Sequence, residues 1–144
     1  MKFQLITIGE PKSYYIREGS SEYLKRLRGS TMFEQYFVKD NDRAYEQIDR
    51  LTKGHYLVAL HEHGRQYSSR QLAKFFEDME LQGTGTMSFV IGPADGHSDE
   101  FLAKSDYHLA LSKLTFPHEL AYLVMLEALY RSVSIRNGHP YHRD

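Results

Sequence analysis

Residues 120–129, LAYLVMLEAL, carry one charge, on Glu127, in ten positions. A surface helix normally shows a polar stripe, so a helix apolar on nearly every side has to be covered on more than one of them. One side can lie on a sheet. The other either lies under further helices in a three-layer monomer or meets a second copy of the chain. Two-fold homodimers are the commonest soluble assembly, and the expectation is a homodimer. Each fully buried leucine or valine stabilises by about 1.5–3 kcal/mol, enough for a few of them to offset one charged neighbour.

The rest of the chain supplies the sheet. Residues 56–60, YLVAL, form a continuous apolar run between turn residues, the pattern of a strand buried on both faces in a parallel sheet. Further strands are expected at 2–8, 32–38, 86–91 and 107–111. Helices are expected at 14–27, stopping at Gly29; from a cap at Asn41 or Asp42 to Leu51; from Ser68 or Ser69 to Leu81; and from Ser98 to Lys104. The stretch HEHGRQYSS reads as a loop. Strands alternating with helices define an α/β fold, a mostly parallel sheet flanked by helices, in a single domain over residues 1–144. Ligands of such sheets gather at the carboxyl ends of the strands, here the loops after Leu60, Ile91 and Leu111.

Several function classes drop out. With no cysteine there is no disulfide, thiolate nucleophile or cysteine metal site. No apolar run approaches the roughly 20 residues that cross a bilayer, and MKFQLITIGE is too short and polar for a signal peptide, so a cytoplasmic protein without a membrane is expected. A net charge of −1 argues against a generic nucleic-acid binder. RNA contacts would come from local clusters, Lys25, Arg26 and Arg28 or Arg131, Arg136 and Arg143, although each also reads as a solvated face and Arg131 as an ion pair with Glu127 or Asp144. His61 and His63 would share a strand face, and His139 and His142 lie three apart, yet no HExxH pattern accompanies them and no metal is expected. GPADG lacks both the lysine of a P-loop and the spacing of a dinucleotide fingerprint.

Taken in order, MKFQLITIG, EYLKRL, ALHEHG, FVIGPADG, LTFPHEL, EALYR and the terminal HPYHRD resemble the bacterial large-subunit ribosomal RNA pseudouridine N3-methyltransferases, small members of the SPOUT superfamily. The resemblance implies a deep C-terminal trefoil knot, an exception to the rule that chains avoid knots. It also implies a homodimer with its site between protomers, S-adenosylmethionine as cofactor, and the assembled ribosome as the partner presenting a pseudouridine of the large-subunit RNA. On this likeness Leu60, Gly92, Pro93, Ser112, Lys113, Leu114, Thr115, Phe116 and Pro117 hold the methyl donor. Tyr141, His142 and Arg143 match the catalytic end, while Arg131, His118 and Arg136 are expected at the RNA. His142 would accept the N3 proton or orient the base, Tyr141 would stack on or hydrogen-bond it, and the arginines would hold phosphate or the anionic ring. Two positions depart from the family pattern: Pro93 stands for a second glycine in the turn, and Tyr122 for an arginine in the long helix. Two readings stay open, an active methyltransferase and a non-catalytic member that binds ribosome or RNA.

Overall fold

The computed structural model describes residues 1–143. Five strands, β1 (Lys2–Ile8), β2 (Phe33–Val38), β3 (Tyr56–Arg65), β4 (Thr86–Ile91) and β5 (Tyr107–Leu109), form one sheet in the order β2-β1-β4-β3-β5. Every pairing between neighbours is parallel. The helices are α1 (Tyr14–Ser30), α2 (Ala44–Leu51), α3 (Ser69–Leu81), α4 (Asp99–Lys104) and α5 (His118–Arg136).

Alternate residues of each central strand face opposite layers, and both layers are apolar. Phe3 and Leu5 of β1, Met87 and Phe89 of β4 and Val58 of β3 pack with residues of α1, α3 and α5. Ile6, Ile8, Val90, Leu57 and Ala59 pack against Ala44 and Ile48 of α2 and Phe101 of α4. This two-sided burial is why YLVAL and its neighbours are continuous apolar runs. α5 lies between α1 and α3 on the first face. Tyr122, Met125, Leu126, Leu129, Tyr130 and Val133 are buried, whereas Leu120, Leu123, Val124 and Ala128 remain half-buried. The three-layer arrangement therefore accounts for most of the apolar character of α5 and leaves one apolar stripe partly open.

Local signals explain two of the helix starts. Ser68 caps α3 in a reciprocal pair: its hydroxyl accepts from the Gln71 N–H at 3.1 Å, and its own N–H donates to Gln71 Oε1 at 2.9 Å. Ser98 caps α4 through the Phe101 N–H. Asn41 does not cap α2. Its side chain accepts from Arg43 N in a turn that precedes the helix. Gly29 lies within α1 rather than ending it, because the helix runs on to Ser30.

The larger correction concerns HEHGR, expected as a loop but part of β3. Leu60 and Arg65 both register with Leu109 of β5, and the residues between form an irregular excursion that turns polar side chains outward. The Ala110 N–H donates to Arg65 O at 2.9 Å. Gly64 permits this approach, since a Cβ there would stand 2.7 Å from the His108 carbonyl carbon and oxygen. Gly64→Ala is expected to lower stability by about 1–3 kcal/mol, the usual cost of forced overpacking. An unchanged urea midpoint would show that the two strands can separate there freely.

Candidate active site

A cavity of about 400 Å³ opens at the carboxyl ends of β3, β4 and β5. Leu60, Ile91, Leu109 and Leu111 bring apolar walls from the strand ends, and Gly92 and Pro93 form the turn after β4. Ser112, Leu114, Thr115 and Phe116 enclose it from the loop ahead of α5, while His118 and Ala121 close it from the first turn of that helix. Of the expected donor residues, Lys113 and Pro117 alone are not among those lining the cavity; both are exposed. His118, expected at the RNA, lines this cavity instead. The Leu114 N–H donates to Ser112 Oγ at 3.0 Å, which tightens the loop.

The floor is set by histidine packing that spacing alone did not suggest. A Cβ at Gly92 would come within 3.0 Å of His97 Nδ1, so only glycine lets that ring sit under the turn. His97 Nε2 donates to Val90 O at 2.9 Å, which places the ring proton there. Nδ1 must then accept from the Tyr45 hydroxyl at 2.8 Å, and that hydroxyl in turn accepts from Ser98 N. Burial pushes the imidazole pKa down to about 4, against a smaller opposing effect of the Val90 hydrogen bond. His97 is a neutral buttress of fixed tautomer. Pro93 is held from the other end, its carbonyl accepting from the Gly96 N–H at 2.8 Å in a turn where Gly96 takes a φ of +88°.

Glu62, Asp95 and Asp99 add carboxylates to the cavity lining, and Thr115 Oγ1 donates to Glu62 Oε2 at 3.4 Å. His61 also lines it, its ring 5.4 Å from His63 and 5.7 Å from His108. Burial lowers the His61 pKa, and the two neighbouring imidazoles lower it further. His108 Nε2 donates to Leu102 O. Among the described residues no group of three or more histidine, aspartate or glutamate side chains is arranged to hold a metal ion.

The C-terminal tail gathers elsewhere in the same chain. The Tyr141 ring meets Tyr130 edge-on at 4.8 Å, and its hydroxyl lies 3.0 Å from that of Tyr23 and 3.3 Å from Glu127 Oε1. Burial first, then the Tyr23 hydroxyl, raises the Tyr141 pKa, so it stays protonated. Arg131 lies over the Tyr141 ring at 4.9 Å, pairs with Glu127 at 2.6 Å and donates from Nη1 to His142 Nδ1 at 3.0 Å. A guanidinium can only donate, so His142 Nδ1 carries a lone pair and any ring proton sits on Nε2. In this arrangement Nδ1 is occupied by the Arg131 hydrogen bond. The Arg131 pairing with Glu127 is one of the two expected; Asp144, the other, lies outside the described residues. Arg143 is exposed. Arg136 is bound to Glu80, which also holds the N-terminal amine at 3.5 Å, so it braces α5 against α3 instead of presenting a free cation. Tyr141, His142 and Arg131 are brought together, but none of them lines the cavity at the strand ends of its own chain. Arg131 and Glu127 instead line a smaller cleft beside Tyr67 and Leu111.

A parallel α/β sheet with a loop-walled cavity at its strand ends is the arrangement in which such folds hold small organic ligands. The family model described as predicted SPOUT methyltransferase matches residues 1–142. A ribosomal RNA large subunit methyltransferase H from Deinococcus deserti is 41% identical, covering 99% of this chain and 100% of its own. The proteins of that name from Deinococcus radiodurans and Acetivibrio thermocellus are 39% and 37% identical, again over 99% of this chain and 99% and 100% of theirs. In fold, the chain matches a solved probable methylase family protein from Haemophilus influenzae with a TM-score of 0.62 at 15% identity, covering 99% of this chain and 70% of that one. The chain belongs to the SPOUT methyltransferase family, in the branch of the ribosomal RNA large subunit methyltransferase H proteins.

His97 supplies a direct check on the cavity floor. Its folded pKa lies below the ordinary 6.5, so the stability it contributes is full above about 6.5 and falls away as the pH drops towards about 4. Nitrogen-15 imidazole spectra at pH 5.5 are expected to show a neutral ring protonated on Nε2. A charged ring at that pH would mean that the buttress is not formed.

Proposed function

We propose that this protein transfers a methyl group from S-adenosylmethionine to large-subunit ribosomal RNA, at N3 of a pseudouridine presented by the assembled ribosome. The observation that carries the reading is the cavity at the ends of β3, β4 and β5, in a chain aligned over almost its whole length with proteins named as ribosomal RNA methyltransferases. The residues present suit the donor. Leu60, Leu109 and Phe116 can cover the faces of an adenine, and backbone groups of the loop can meet its edge. Glu62, Asp95 and Asp99 complement a ligand bearing sulfonium and ammonium charges. When bound, the donor supplies an electrophilic methyl group on sulfur.

The acceptor nitrogen has to be positioned and the charge developing on its ring stabilised. Arg131 and Arg143 are the cations assigned to that task, with the Arg131 orientation fixed by Glu127. Tyr141, held protonated, donates a hydrogen bond or stacks, and His142 orients the base. Because these groups lie outside the donor cavity of their own chain, the reading requires the tail of one protomer to complete the site of another. The half-buried stripe of Leu120, Leu123, Val124 and Ala128 supports such a two-fold homodimer. The trefoil knot, action of residues 1–144 as one domain and the cytoplasmic location rest on family membership; no helix among the described residues is long and apolar enough to cross a membrane.

The non-catalytic reading depended on Pro93 and Tyr122. Pro93 walls the cavity without filling it, and Tyr122 is buried behind it, 1% exposed, with its ring edge-on to Phe37 at 5.3 Å. Neither closes the site, and the enzyme reading is the better supported.

Calorimetric titration with S-adenosylmethionine is expected to give saturable micromolar binding, and unmodified ribosomes to receive the methyl group. Absence of binding up to millimolar donor, with ribosomes present or absent, would overturn the assignment. His142→Ala is expected to cut turnover by about 10²-fold, the scale of a lost orienting contact, with donor affinity retained; full turnover would remove His142 from the site. Sedimentation is expected to give twice the 16.8 kDa of one chain.

A further inference from the structure

A second cavity, about 490 Å³, lies between α1 and the edge strand β2 and shares no residue with the donor cavity. Its rim carries Arg17, Lys25 and Arg28, all exposed on one face of α1. None of the three forms an ion pair among the described residues. The acids of α1 are occupied away from it: Glu22 pairs with Arg26 at 2.9 Å, and Glu18 accepts from the Tyr14 hydroxyl. Arg26 itself faces the tail, within 5.8 Å of the Tyr23 and Tyr141 rings. Against the three rim cations stands Glu10. In a chain of net charge −1, that is a local excess of positive charge left without a partner.

The floor is of a different kind. Phe37, half-buried, lines it edge-on to Tyr122, which lies beneath at 1% exposure, and the Tyr122 hydroxyl donates to Gln35 Oε1. From Arg17 to Arg28 the helix rises about 16 Å, enough for cations to meet successive phosphates of one strand. Cations spaced along a groove, with one aromatic ring partly open at its floor, are features that single-stranded nucleic acid uses.

The groove also has a defined relation to the donor cavity. Both are walled by the first turns of α5, with His118 and Ala121 on the donor side and Tyr122 on the groove side. Glu10 and Pro11 at the groove follow Gly9, where a Cβ would stand 3.4 Å from His118 Nε2. Glu119 Oε1 accepts the N–H groups of Lys12 and Ser13, both at 3.0 Å, and locks α5 to the entry of α1.

We propose that this groove binds the sugar–phosphate backbone of a single-stranded segment of the substrate RNA, beside the nucleotide that enters the donor site. The inference rests on the RNA methyltransferase reading and adds to it a docking surface distinct from the tail.

The test combines Arg17→Ala, Lys25→Ala and Arg28→Ala in the full chain, exposed helix positions where alanine favours the helix. Affinity for unmodified large ribosomal subunits is measured across a salt series, with methyl transfer and S-adenosylmethionine affinity read in parallel. The triple variant is expected to bind subunits at least about tenfold more weakly, with a salt dependence shallower by about two to three units of log–log slope. Donor affinity is expected to stay that of the unaltered protein, and replacing Arg17 and Arg28 by lysine to restore most of the subunit binding. Equal affinity and slope in the triple variant would overturn the groove, and so would conversion from dimer to monomer, which would make this face an interface between protein chains. If the unaltered protein binds subunits but transfers no methyl group, the enzyme reading fails, while the groove still stands or falls on the affinity ratio.

Discussion

The burial of α5 against three neighbours is the constraint on which the rest of the structure depends. Its inner face meets the sheet, and α1 and α3 flank it through residues such as Leu123, which lies against Gly19 of α1 at the distance of a close helix crossing. A Cβ at Gly19 would stand 3.2 Å from Leu123 Cδ2, so the leucine fills the space that glycine leaves open. Both ends of the same helix are secured, the first by Glu119 accepting the backbone N–H groups just ahead of α1 and the last by the Arg136 ion pair with Glu80 of α3. The loop of residues 112–117 hangs from the first turn of α5, and the tail from its last. The cavity loop and the tail cluster therefore take their positions from one element.

Much of this was legible because apolar patterning reports burial directly. YLVAL and TMSFVI are strands with two covered faces, and the capping serines at 68 and 98 mark helix starts by a local hydrogen bond that any sequence reader can anticipate. What was not legible depends on contacts between distant residues. HEHGR looks like a loop until β5 arrives at the edge to pair with Arg65, and only a glycine whose missing Cβ faces His108 signals it. His97 gives no motif. Its role follows from the carbonyl of Val90 beneath it and the Tyr45 hydroxyl from α2 beside it. Arg136 could be counted as a cation from sequence, but its pairing with Glu80 joins two helices and has no local signature. The family resemblance pointed to loops that line one cavity, whereas geometry alone separates the tail from the cavity of its own chain.

Charge in this molecule is distributed by location and not by amount. A chain near neutrality carries carboxylates at the cavity on the strand ends, along α1 three cations that form no ion pair among the described residues, and a compact aromatic and guanidinium cluster at the tail. Such an arrangement limits nonspecific attraction to nucleic acid, which grows with the number of phosphates neutralised, and reserves affinity for a target that engages several regions together.

Tyr122 has a consequence that follows from its place in α5. The same short stretch of helix that presents His118 and Ala121 to one cavity presents Tyr122 to the other, so the two spaces share a wall one helix thick. A shared wall cannot move for one side alone. Any displacement of that turn that tightens one cavity alters the other, and thermodynamic linkage makes the coupling equal in both directions. The start of α5 acts, in mechanical terms, as a common beam between two rooms.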